Sequence, residues 1–192
     1  MISHRDLVRT FERLFRRAEL KLSMSEGFHP KARMSFPSAL ALGIEALDEV
    51  MEFELAEEIP AAQLLERLQA LAPAGLTITD LQPMEIGQPK PRIHRLTYQF
   101  PIPDDRKDAT RRAVDTLLSE TFRFIERAGR KQPLDVRAGI ADLQLDDGVL
   151  IMKLKVSREA SVRPLEVLEA LGLAELQYQG LYLTRTTVEL TA

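Results

Sequence analysis

Cysteine is absent from the 192-residue chain, which excludes disulfides, thiolate nucleophiles and any iron–sulfur cluster held by its own ligands. No apolar run approaches the roughly 20 residues of a membrane-crossing helix, and the N-terminus has no apolar signal core. The expected setting is therefore the cytoplasm, in soluble form. Histidine is scarce: His4, His29 and His94 lie far apart and none has a His-x-x-x-His partner, so no local metal-ligand set is expected. A Gly-rich phosphate loop, a dinucleotide-binding fingerprint and a serine nucleophile elbow are also missing. No group of residues makes a complete catalytic signature.

What is present is an uneven distribution of charge. Residues 1–44 hold eight Lys/Arg against four Asp/Glu, residues 45–90 two against ten, and the remainder sixteen against fifteen, within a net charge of −3. A basic region on an acidic protein can attract an anion, although a charged helix face is more often simply solvated. The acidic stretch Glu45, Asp48, Glu49, Glu52, Glu54, Glu57 and Glu58 alternates in part with apolar residues. That pattern predicts a solvated strand face rather than a cation site.

The first half reads as helix, strand, strand, helix, strand. Ser3 and Asp6 have the spacing of a capping box, and Leu7, Phe11, Leu14, Phe15 and Ala18 form a helical apolar stripe. Arg9, Arg13, Arg16 and Arg17 fall on another side of that helix, about one turn apart. Leu20, Leu22 and Met24 alternate as a strand that Gly27 breaks, and Arg33 to Phe36 resumes an extended run. A further strand is predicted at 50–55. A helix opened by Pro60 and stopped by Gly75 carries Leu64, Leu65, Leu68 and Leu71. A strand over 76–81 closes the half.

Three prolines and a glycine in residues 82–91 read as a linker. The second half then runs strand (93–102), helix (from Asp104, with Val114 and Leu117 inward), a short strand at 122–126, and a hairpin of 140–145 with 149–156. The turn of that hairpin is Asp146-Asp147-Gly148. Arg163-Pro164 opens a helix that Gly172 ends, and 181–190 is the last strand. The fold class expected is α+β, as two tandem ferredoxin-like (βαββαβ) units over 1–81 and 92–192. The first lacks its N-terminal strand, because only Met1 and Ile2 precede the helix cap. A natural chain starting further upstream is the expectation that follows, and intact-mass measurement from the native source tests it.

The passage Ser25-Glu26-Gly27-Phe28-His29-Pro30-Lys31-Ala32-Arg33-Met34-Ser35-Phe36-Pro37 is the one stretch whose composition core-building does not explain. It joins a permissive glycine, a histidine, two cations, two aromatics and two prolines, the mixture of a loop that meets a ligand. Arg9, Arg13, Arg16 and Arg17 would contact phosphates, Phe28 and His29 would stack on an unpaired base, and Lys31 and Arg33 would hold its backbone. In an alternative reading His29 and His4 serve as acid and base in metal-independent RNA cleavage. The plainer account is that His4 starts a helix and His29 fills a Pro-flanked loop. A second patch comprises Lys131, Asp135 and Arg137, in which cations contact phosphate and Asp135 orients Arg137, or which is simply a loop salt bridge.

Ser3-His4-Arg5-Asp6-Leu7, the helix ending Arg16-Arg17-Ala18, the passage Ser25 to Pro30, and Lys131 to Arg137 together resemble the radical SAM-linked protein family, whose function is unknown. The likeness runs through the whole chain in order. It implies a radical SAM protein as partner, with S-adenosylmethionine and an iron–sulfur cluster held there and no cofactor on this chain. It also implies a strand ahead of the Ser-His-Arg-Asp motif. The function expected on these grounds is a non-catalytic accessory or substrate-recognition module, acting on RNA, with no membrane involved. A pure protein-interaction module is the remaining alternative.

Overall fold

The structure is a computed structural model that describes residues 4–85, 87–129, 132–157 and 161–191. The chain is mixed α+β, and its elements follow as α1 (His4–Arg17), β1 (Met34–Ser35), β2 (Ile44–Ala46), β3 (Glu52–Phe53), α2 (Ala61–Leu71), β4 (Ile93–Pro101), α3 (Lys107–Ser119), β5 (Phe124–Ile125), β6 (Leu134–Asp135), α4 (Val136–Gly139), β7 (Ile140–Asp146), β8 (Val149–Lys155), α5 (Pro164–Ala170) and β9 (Leu183–Leu190). They divide between two compact units, Met1–Leu42 with Val50–Lys90, and Gly43–Glu49 with Pro91–Ala192. Gly43–Glu49 thus belongs with the second unit although it precedes the proline-rich stretch 82–91. Among the described residues no helix is long and apolar enough to cross a membrane.

In the first unit the apolar stripe of α1 buries Phe11, Leu14 and Phe15, and Ala18 follows just beyond its end. These meet Leu64 and Leu68 of α2. Phe15 lies 4.8 Å, ring centre to ring centre, from Phe53, and Phe11 is 5.7 Å from Phe36, separations at which aromatic pairs gain beyond the area they bury. Ser3 of the predicted capping box lies outside the described residues.

The strands here are shorter than the alternation predicts. β1 and β3 pair antiparallel at Met34–Phe53 and Ser35–Glu52, while residues 20–24 contribute only isolated bridges, Leu22 to Leu55 and Met24 to Ala32. Residues 76–81 form no strand at all. Leu76, Ile78 and Leu81 are half-buried against the same core, and the Gln69 side chain donates to the Ile78 carbonyl at 2.8 Å. Their alternation therefore records packing of an extended segment whose backbone finds no ladder.

The second unit holds β2 and then β4, α3, β5, β6, α4, β7, β8, α5 and β9, and its five-stranded sheet has the order β2-β9-β4-β8-β7. β2 joins the edge in parallel with β9, and the other neighbours are antiparallel. Leu96, Tyr98 and Phe100 of β4 and Leu150, Met152 and Leu154 of β8 share one core with Val114, Leu117, Val167 and Leu168 of the helices. Each large apolar side chain buried there contributes about 1.5–3 kcal/mol. The predicted hairpin turn is present, with Asp146 opposite Val149. Asp147 and Gly148 both have positive φ, at 42° and 77°, the backbone that a two-residue type I′ turn requires. The short strand expected at 122–126 reduces to β5, which pairs with β6 in a separate two-stranded ladder.

One buried cation interrupts the apolar interior. Arg185 of β9 is 1% exposed, opposite Tyr98 in the sheet register, and it pairs with Glu49. The Asp48 carboxylate accepts the Val188 backbone N–H at 2.7 Å, and Leu47 N–H donates to the Arg185 carbonyl at 2.8 Å. Asp48 and Glu49 belong to the acidic stretch predicted as a solvated face. They are half-buried instead, because they fasten the segment carrying β2 to the sheet edge. Burial holds the Glu49 carboxyl above its ordinary range despite the opposing pull of Arg185.

Candidate functional site

The unusual passage is a closed loop on a short antiparallel stem. At its base Ser25 N–H donates to the Lys31 carbonyl at 2.8 Å, and Lys31 N–H returns to the Ser25 hydroxyl at 3.0 Å. One step down the stem, Arg33 N–H donates to the Ser23 carbonyl at 2.8 Å. Gly27 turns the tip with φ of 121°, a conformation strained for any residue bearing a Cβ. Phe28, next to it, is fully exposed, and His29 is exposed as well. An aromatic ring in solvent gains nothing from folding. The double clip at Ser25 and Lys31 holds it there nonetheless.

The cations assigned to this site divide into two kinds. Arg33 is used by the stem: its Nε donates to the Met24 carbonyl at 3.2 Å and its guanidinium meets Glu54 at 3.3 Å. Arg17 donates to the Leu71 carbonyl at 2.7 Å, satisfying the end of α2, where helical carbonyls lack partners. Arg9, Arg13 and Arg16 are exposed and make no ion pair among the described residues. Spaced i, i+4 and i+7, they form one row opposite the buried stripe. Arg5 continues that row toward the start of the helix and is also exposed; the sequence reading passed over it, although the same spacing would have found it.

Beside the arginine row, His4, Val8 and Glu12 succeed one another at i, i+4 and i+8 and form the neighbouring row of α1. With Lys31, Ser35 and Phe36 from the stem they line an open concavity of about 240 Å³. The His4 ring stands edge-on to Phe36, 5.4 Å between centres and 83° between planes. The Ser35 hydroxyl donates to Glu52 at 3.1 Å, and Lys90 reaches the same carboxylate at 2.8 Å. The concavity thus brings together His4 and Lys31. His29 is not among its lining residues.

The second patch has a different construction from the one expected. Asp135 does not pair with the Arg137 guanidinium among the described residues: its Oδ1 accepts the backbone N–H groups of Arg123, Arg137 and Ala138 at 2.9, 3.0 and 3.4 Å. It caps the one-turn helix α4, since a short side chain there is nearest to the orphan N–H groups. The Arg137 guanidinium donates to the Leu118 carbonyl at 3.4 Å. Lys131 lies outside the described residues. Close by, Phe122 and Phe124 form an exposed ring pair 5.3 Å apart.

Residues 1–164 match the family described as "Uncharacterized protein conserved in bacteria" (DUF2344), and the chain belongs to that family. No curated protein matches it.

Proposed function

We propose that this chain is a non-catalytic accessory module of the cytoplasm that presents single-stranded RNA to a radical SAM enzyme. The observation that carries the RNA part is the clipped loop, which keeps Phe28 in solvent; in the same unit Arg9, Arg13 and Arg16 are exposed and make no ion pair among the described residues. Aromatic stacking with backbone neutralisation is how single strands are held without sequence readout. The radical SAM part rests on the likeness of Ser3–Leu7, Ser25–Pro30 and Lys131–Arg137 to the radical SAM-linked family. S-adenosylmethionine and the iron–sulfur cluster then belong to the partner, in keeping with a chain that has no cysteine. The finer architectural reading, two tandem ferredoxin-like units, draws its support from the succession β4, α3, β7, β8, α5, β9 among the elements of the second unit, with β5, β6 and α4 inserted after α3.

RNA affinity should fall steeply with salt. Replacing Arg13 and Arg16 together by alanine should lower the slope of log K against log salt by about 1.4, at roughly 0.7 per phosphate contact on a single strand. Filter binding from 50 to 200 mM salt measures it, and salt-insensitive or absent binding removes RNA from the proposal. Cleavage of the same labelled RNA without metal would favour the alternative in which His29 and His4 act as acid and base. Retention of a radical SAM protein after ribonuclease treatment, with no RNA bound by the pure chain, would favour a protein-interaction module.

A further inference from the structure

We infer that the concavity beside the arginine row is a guanine-accepting subsite; the inference rests on the single-stranded RNA reading above. The cavity is about 240 Å³, below the roughly 300–1,000 Å³ usual for whole small-molecule ligands. It has room for one base with the sugar outside. His4 and Phe36, with rings at 83°, supply flat and edge surfaces for such a ring, and unpaired bases are held by aromatic contact and read along their Watson–Crick edges.

The polar groups select among bases. Glu12 makes no ion pair among the described residues although Arg9 and Arg16 lie one turn away on either side. Its ionised carboxylate only accepts hydrogen bonds, with two oxygens suited to a pair of adjacent donors. The Lys31 ammonium only donates, and the bonds that clip this residue into the stem use its backbone. The Ser35 hydroxyl directs its O–H to Glu52 and so offers the site only lone pairs.

Guanine presents two neighbouring donors, N1–H and the 2-amino group, beside the O6 acceptor. Adenine and cytosine each present a single amino group on that edge, and uracil a single N–H between two carbonyls. Glu12 receiving the two donors while Lys31 reaches O6 uses each group in its proper sense. A carboxylate next to a phosphate-binding row also opposes every strand through charge repulsion. Binding is restored where a base supplies donors to it, so Glu12 discriminates as well as holds.

The test uses the full chain and uridine-rich RNA 8-mers with one central guanine, adenine or inosine, followed by fluorescence anisotropy at low salt. The guanine oligomer should bind about tenfold more tightly than the inosine one, which lacks the 2-amino donor, by the usual strength of one hydrogen bond to a charged group. It should also exceed the adenine oligomer by at least that factor. Glu12→Gln, an exposed and near-isosteric change that leaves the fold intact, should abolish the preference without weakening adenine-oligomer binding. Equal binding of all three oligomers, or a guanine preference that survives Glu12→Gln, overturns the subsite and leaves the RNA reading standing. Failure of every oligomer to bind overturns the RNA reading and the subsite with it.

Discussion

The two units spend their residues differently. In the second, strands of seven to nine residues bury a continuous core between one sheet face and two helices, and the buried Arg185 is paired. The other face, with Arg95, Thr97 and Gln99 of β4 and Lys153 of β8, carries no aromatic side chain on these strands, and Arg95 is engaged by Glu189 at 3.3 Å. A sheet that binds RNA in the manner of an RRM uses aromatics on that surface. In the first unit two-residue strands and a small core support a loop that exposes Phe28 and a helix on which Arg9, Arg13 and Arg16 make no ion pair among the described residues. The lesson is that regular architecture and available chemistry lie in different halves of this chain.

That contrast can be broken most forcibly at Glu49. Its removal takes away the carboxylate paired with the buried Arg185, so Glu49→Ala should cost about 3–5 kcal/mol, read as a loss of stability in urea melts. A loss under 1 kcal/mol would mean that β2 is dispensable to the second unit. The milder Glu49→Gln has a defined pH signature. Burial raises the folded-state pKa of Glu49 above the ordinary 4.5, so the folded state holds the proton more tightly than the unfolded one. Whatever advantage the wild type has over the Gln variant should narrow as pH rises from about 4.5 through the raised pKa. A difference that widens over that window contradicts the assignment.

Next in size, Phe28→Ala should weaken RNA binding by about 1–3 kcal/mol, the worth of one stacked base, while thermal stability stays unchanged because the ring buries nothing. Equal loss of binding and stability would show the loop to be part of the core. Smallest, Asp135→Ala should reduce stability by about 1 kcal/mol through loss of the α4 cap and leave RNA affinity unaltered. Weakened RNA binding would return the second patch to the list of ligand contacts.

Much of this was legible in the amino-acid sequence because it is local. The α1 stripe, the Arg163-Pro164 helix start and the Asp147-Gly148 turn all announce themselves within a few residues. The clipped loop also stood out by composition, and its arginine row by spacing. What stayed hidden depends on partners far away in the chain. Leu76 to Leu81 alternate like a strand but meet side chains instead of a ladder, and no spacing records that. Glu49 looks like one acidic residue among several until Arg185 arrives from β9. Arg17 and Arg33 were indistinguishable by type from Arg9, Arg13 and Arg16, yet they satisfy carbonyls of their own fold.

The strap formed by Gly43–Glu49 has a consequence for how the protein is made. Glu49 leaves the ribosome 136 residues ahead of the arginine that neutralises it. Domains generally fold as units during synthesis, the earlier part first. Here β2 must wait, edge unpaired, until β9 has been translated, so the sheet closes only after the whole stretch between the two strands exists. Truncation within β9 should therefore leave a nascent chain with an exposed strand edge, a species for chaperones to shield.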